Sequence, residues 1–187
     1  MSQVEGQHQF GARVGQFDQW ADDRLEGLRG NRVADSLFTS ASHLGDFSLI
    51  WHIVGVCRAV TSTRRARQAL TLSLVLGVES LLVNQGVKRL FRRRRPTVTG
   101  DERFQVRKPS TSSFPSGHAT SAFVAATLLT QWGGKRYAPV WFAMAAVVAS
   151  SRVYVRIHHA SDVVGGALVG LGLGAIAKRV LKRLAPG

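Results

Sequence analysis

Along the chain, apolar positions come in long runs separated by clusters of basic residues. A helix needs roughly 20 mostly apolar residues, rising about 1.5 Å each, to cross about 30 Å of hydrocarbon. Five runs approach that length: near Ser36–Val60, Ala69–Val87, Gly117–Trp132, Ala138–Val155 and Ser161–Ile176. Any one of them could be the buried helix of a soluble protein. Five together, with basic loops between them, predict an all-α integral-membrane bundle of about five transmembrane helices. Ahead of the first run, Phe10, Val14, Phe17, Trp20, Leu25 and Leu28 recur at near-helical spacing, while Asp18, Asp22, Asp23, Glu26 and Arg29 fall mostly elsewhere on the wheel. This predicts an amphipathic N-terminal segment, residues 1–33, that lies at the membrane interface or packs on the bundle. Residues 34–187 then form the transmembrane core of the same single domain.

Two features inside the runs refine the picture. Gly166, Gly170 and Gly174 recur every fourth residue in the fifth run, which lets another helix backbone approach closely. Packing within the chain is the preferred reading over a dimer seam, and the oligomeric state stays open. Glu79 and Asn84 lie in the second run. An ionisable group inside a span is costly and faces the bundle interior, so Glu79 is expected to pair with a base or stay protonated. Nothing near it in sequence completes a site.

Charge narrows the partners. Lys and Arg number 25 against 11 Asp and Glu, a formal net charge of +14. Such an excess calls for nucleic acid, anionic lipid or a phosphorylated substrate. The single cysteine, Cys57, excludes an intrachain disulfide and a multi-Cys zinc site. The opening MSQVEGQHQF lacks a basic region followed by an apolar run, so no cleaved signal peptide is expected.

Three polar constellations carry candidate chemistry. Lys88 to Arg95-Pro96 directly follows the second run, and on its own a basic tract there reads as an orientation signal or a lipid contact. Phe114-Pro115-Ser116-Gly117-His118 opens the third run. A helix start presents unpaired N–H groups and a positive dipole end to an anion, with Pro115 suited to the first turn, Gly117 admitting close approach and Ser116 adding a hydroxyl. Ser151-Arg152 leads to His158, His159 and Asp162 between the fourth and fifth runs. On a helix His158 and Asp162 share a face, where a carboxylate fixes the imidazole tautomer and frees the other nitrogen to attack. Arg152 adds a donor fork matched to phosphate oxygens, and His159 reads as a bystander. With five antiparallel spans, all three constellations fall on one side of the membrane.

These segments resemble the type 2 phosphatidic acid phosphatase (PAP2) superfamily, whose pattern is K-x6-R-P, then P-S-G-H, then S-R-x5-H-x3-D. Order and internal spacing match in full across Lys88–Asp162. The resemblance implies a metal-independent, cofactor-free phosphatase that acts on a lipid phosphomonoester or diphosphate through a phosphohistidine. On that basis Lys88, Arg95, Arg152, Ser116 and Gly117 would hold the phosphate. His158 would attack phosphorus, Asp162 would orient it, and His118 would protonate the leaving oxygen. Many membrane members have six spans; here the amphipathic segment takes the place of the first. The expected partners are a lipid phosphate and the cell membrane, with no nucleic acid. Polyprenyl phosphates or diphosphates, phosphatidic acid, phosphatidylglycerophosphate and a polyprenyl-phosphate sugar carrying an extra phosphate are all candidates, with a lean to an isoprenoid carrier. The rivals are a non-catalytic protein that binds anionic lipid through its basic loops, a nucleic-acid binder and a vanadate-dependent oxidase. The density of Arg92–Arg95 leans the active site toward the cytoplasm.

Overall fold

The computed structural model describes residues 10–96, 103–107 and 110–184, and among these the regular structure is entirely helical. The elements are α1 (Ala12–Glu26), α2 (Arg32–Gly45), α3 (Leu49–Ala59), α4 (Thr63–Leu81), α5 (Gly117–Gly133), α6 (Ala138–Tyr154) and α7 (Ala160–Leu184). A π-helical turn, Leu82–Val87, and a last turn, Lys88–Leu90, carry α4 onward to the basic tract.

Helix α5 is the centre of the bundle. Its residues are apolar or small nearly all round, and Ala119–Ala122, Val124–Ala126 and Leu128–Leu129 are buried. A helix without a polar face belongs inside. Trp51 of α3, Leu72 and Leu76 of α4, and Ala145 and Val148 of α6 close the core around it. On the far side α7 packs through its glycine stripe. A Cβ at Gly166 would come 2.5 Å from the Ser116 carbonyl, one at Gly170 would strike the Thr120 carbonyl, and one at Gly174 would meet Thr127 at 2.9 Å. The stripe is therefore an intrachain seam between α5 and α7.

The outer faces are apolar as well. Ile53 and Val56 on α3, Leu70, Leu74 and Val78 on α4, and Leu168, Leu171 and Ile176 on α7 are all exposed. An apolar belt this extensive around a filled core is what a lipid-facing bundle presents. Among the described residues two helical runs, Thr63–Leu90 and Ala160–Leu184, are long and apolar enough to cross a membrane. The count of five is not reached by that measure. Helices α5 and α6 have 17 residues each, about 26 Å of rise.

The first predicted span is two helices, not one. A 3-10 turn, Asp46–Ser48, breaks it, with Phe47 at φ 52° and Ser48 at φ 60°. The halves, 14 and 11 residues, rise only about 21 and 16 Å. The break delivers Asp46 to the site described below. Helix α1 also departs from expectation in its orientation. It docks by its charged face, with Asp18 buried, and turns Phe17 and Trp20 outward at 40% and 54% exposure. Asp22 bonds Arg29 at 2.5 Å and Arg156 at 2.9 Å, and Arg156 holds φ 55° in the corner after α6. Burial alone would raise the Asp22 carboxyl, but Arg156 and Arg29 more than offset that and hold it below the usual range. Glu79 is buried on the interior side of α4, as a costly intramembrane carboxyl should be.

Candidate active site

The three constellations converge where α5 and α7 begin. Ser116 is the N-cap of α5, its hydroxyl accepting from the Ala119 N–H, and its own N–H donates to the Asp162 carbonyl at 3.0 Å. That bond ties the start of α5 to the first turn of α7. Pro115 precedes the helix instead of lying in its first turn, and Gly117 is the first helical residue. Gly117 faces the Lys88 ammonium: a Cβ there would lie 3.9 Å from Nζ. Lys88 is buried, and its Nζ donates to Thr111 Oγ1 at 3.4 Å.

Arg95 reaches across the loop to donate to the Ile157 carbonyl at 3.0 Å and the Thr111 carbonyl at 3.1 Å. Its Nη1 also lies 3.1 Å from His158 Nε2. A guanidinium can only donate, so this contact assigns a lone pair to Nε2 and the ring proton to Nδ1. His158 stands just before α7, not on it, yet Nδ1 still faces Asp162 Oδ2 at 3.6 Å. That is longer than a hydrogen bond, and apo sites often tighten such contacts only with substrate bound. Burial holds the His158 imidazole well below its ordinary range; Asp162 opposes this, and Arg95 and Arg152 push the same way as burial. Burial likewise brings Arg95 down to about 10, partly offset by Asp162.

Arg152 is fully buried near the end of α6. One Nη donates to Ser42 Oγ, while Nε and the other Nη have no partner among the described residues. The Ser42 carbonyl accepts from His118 Nε2 at 3.2 Å, so α2 bridges the arginine and the histidine. His118 Nε2 also lies 3.1 Å from Asp46 Oδ1. Gly45 makes room for this, since a Cβ there would overlap the His118 ring.

All eight residues singled out from the sequence thus assemble at one end of the bundle. Sequence reasoning missed the residues behind them. Asp46 leaves one signal, a carboxylate inside an apolar run, which is costly without a purpose. Arg93 donates to Asp162 Oδ1 at 2.5 Å and to Asp18 Oδ2 at 2.6 Å. Ser113 Oγ and the His159 N–H hold the other Asp162 oxygen at 2.9 and 2.8 Å. His159 is therefore more than a bystander, acting through its backbone while its Nε2 pairs with the Arg94 carbonyl at 3.3 Å.

Comparison with known proteins agrees with this geometry. Residues 68–185 match the PAP2 superfamily. The decaprenylphosphoryl-5-phosphoribose phosphatase of Mycobacterium tuberculosis is 34% identical over 139 residues, covering 74% of this chain and 76% of that one. A putative undecaprenyl-diphosphatase of Escherichia coli is 29% identical over 119 residues, 64% of this chain and 59% of that one. The crystal structure of a transmembrane PAP2 type phosphatidylglycerolphosphate phosphatase from Bacillus subtilis superposes with a TM-score of 0.70 at 26% identity, covering 92% of this chain and 88% of that one. With the motif residues gathered at one end of the bundle and the match running over most of the chain, this protein belongs to the PAP2 superfamily and is a phosphatase.

Proposed function

We propose that this protein is a multi-pass membrane enzyme that removes phosphate from an isoprenoid-type lipid carrier, without a metal, through a phosphohistidine on His158. The observation that carries this reading is the buried Arg152, two of whose nitrogens have no partner among the described residues, close enough to Lys88 and Arg95 for their charges to interact. Buried donors without partners are expensive, and a phosphate is the ligand that matches this donor geometry and charge. These three cations supply the stabilisation of equatorial oxygens that a metal gives elsewhere.

In the first step the His158 Nε2 lone pair attacks phosphorus and the bond to the lipid oxygen breaks. His118, its Nε2 held 3.1 Å from Asp46 Oδ1, gives that oxygen its proton. Asp162 balances the positive charge that forms on the His158 ring. In the second step water attacks the phosphohistidine, His118 takes the water proton, and phosphate leaves with His158 restored. The lean to an isoprenoid carrier draws support from the names of the mycobacterial and E. coli relatives.

The test is phosphate release from a panel of polyprenyl and glycerolipid phosphates in excess EDTA, with His158→Ala alongside. Release that survives EDTA and vanishes in the variant is expected. Loss of activity in EDTA would overturn the metal-free mechanism, and turnover by His158→Ala would remove His158 as nucleophile.

The structure also changes the argument for sidedness. Arg93 and Arg95, half of the run that leans the site toward the cytoplasm, are turned inward to Asp162 and His158. We propose that the opposite end of the bundle faces the cytoplasm and the active site faces away from it.

A further inference from the structure

We propose that Asp18 of helix α1 is a positioning residue for the phosphatase reaction, acting through Arg93 on Asp162. The inference rests on the reading of His158 and Asp162 as the nucleophile and its partner. It adds a residue that lies far from the motifs in sequence and outside the pattern they define.

The contacts form one buried chain. Asp18, Arg93 and Asp162 are each almost wholly removed from solvent. Arg93 stands between the two carboxylates, at 2.6 Å from Asp18 Oδ2 and 2.5 Å from Asp162 Oδ1. The same Arg93 Nη1 donates to Ser161 Oγ at 2.7 Å, and Ser161 Oγ donates on to Asp18 Oδ2 at 2.9 Å. Asp18 Oδ1 accepts the Ser161 N–H at 2.7 Å. Ser161 lies in the first turn of α7, one residue before Asp162, where backbone N–H groups lack partners within the helix. Asp18 therefore does two things. It caps α7 from a different helix, and it shares the charge of Arg93.

The second action bears on catalysis. An arginine bonded to Asp162 alone would neutralise it, leaving little charge to balance the cation that develops on His158 when Nε2 takes up phosphorus. Two carboxylates around one guanidinium keep a net negative charge on the group that faces His158. In a dry site this difference is large, because nothing screens it. Asp18 touches neither substrate nor His158, so its effect must pass through Arg93.

Asp18→Asn separates the two actions. The amide oxygen can still accept the Ser161 N–H, while the charge is gone and with it the oxygen that accepts from Arg93 Nη2 and the Ser161 hydroxyl. The expected result is a fall in kcat of about 10- to 100-fold, the usual size when the partner behind a catalytic group is removed, with KM changed by less than about twofold. The rate constant for phosphohistidine formation, measured per active site from the burst amplitude, should fall equally; misfolded protein lowers the amplitude alone. Adding Arg93→Gln should recover much of the loss, since Asp162 then regains its uncompensated charge.

Two controls decide the interpretation. Asp22→Asn, on the same helix and paired with Arg29 and Arg156 instead, should leave kcat near wild type. An equal loss there would mean that docking of α1 is what matters, and would overturn the proposal. A wild-type rate constant in Asp18→Asn, or a strictly additive double variant, would overturn it too. Asp162→Asn should abolish phosphohistidine formation; if it does not, the underlying reading of the pair fails, independently of Asp18.

Discussion

At the scale of single residues, the proposed nucleophile is prepared by what surrounds it. Arg95 donates to Nε2, which leaves the ring neutral with its lone pair held in place. Burial lowers the imidazole well below 6.5, so the attacking form persists into mildly acid solution. The sign follows: a lowered value means the inactive protonated ring appears only at lower pH. The acid limb of kcat/KM against pH should therefore fall below about 6.5. A limb at or above that value would show that His158 is not held as the structure has it. His118 offers a separate test through the leaving group. Asp46→Asn removes the anion beside its ring, and turnover of lipid phosphates should drop by about 10²- to 10⁴-fold, the usual worth of general acid catalysis. An aryl phosphate, whose phenolate departs without a proton, should suffer far less. Equal losses on both substrates would remove Asp46 and His118 from leaving-group protonation. Residues such as His118, His158 and Asp162 were legible in the sequence because their chemistry is carried by type and spacing. Asp46, Arg93 and Asp18 were not. Arg93 and Asp18 are ordinary charged residues, and Asp46 no more than a carboxylate in an apolar run, until the fold brings them 2.5, 2.6 and 3.1 Å from their partners.

At the scale of elements, apolar runs located helices better than they located breaks. Helix α5 occupies Gly117–Gly133 and α6 Ala138–Tyr154, within a residue of the expected runs. Helices α4 and α7 extend past theirs, because charged residues at Arg64–Arg67 and Lys178–Arg183 continue a helix as readily as apolar ones. The first run failed as a single helix for a local reason. Its break uses left-handed φ at Phe47 and Ser48, and neither residue type advertises that conformation. The glycine stripe was read correctly because its meaning is steric and periodic. It also yields a prediction. Gly170→Ala would drive a methyl group into the Thr120 carbonyl, an atom that cannot swing aside. The two helices must part, at about 1–3 kcal/mol for an overpacked contact, read as a lower thermal midpoint in detergent. Gly172, with open space around its Cβ position, should accept alanine without loss. Equal tolerance at both positions would contradict the packing of α7 on α5.

At the scale of the whole molecule, charge is segregated along the bundle. From the direction of α4, α5 and α7, the end away from the site carries Arg58, Arg64, Arg65, Arg67, Lys135, Arg136, Lys178, Arg179, Lys182 and Arg183. No Asp or Glu lies between Phe47 and Val78, or anywhere after Asp162, so these cations have no acidic neighbours in sequence. Two of them, Arg64 and Arg67, line one hollow with Thr63, Trp132 and Leu181. The acidic residues of α1 and the kink belong to the other end, where Asp18, Asp22 and Glu26 pair with arginines and Asp46 faces His118. An anionic cytoplasmic leaflet attracts unpaired Lys and Arg by about 1 kcal/mol each near its surface. Cations committed to a buried site contribute nothing to that attraction. The proposed orientation rests on the arginines that are not committed to the site, where the density of Arg92–Arg95 alone points the other way. A single cysteine makes it testable: with Cys57→Ser as background, Lys135→Cys places one thiol in the turn between α5 and α6. In intact cells this thiol should resist a membrane-impermeant maleimide and react only after permeabilisation. Labelling of intact cells would reverse the orientation and return the active site to the cytoplasmic face.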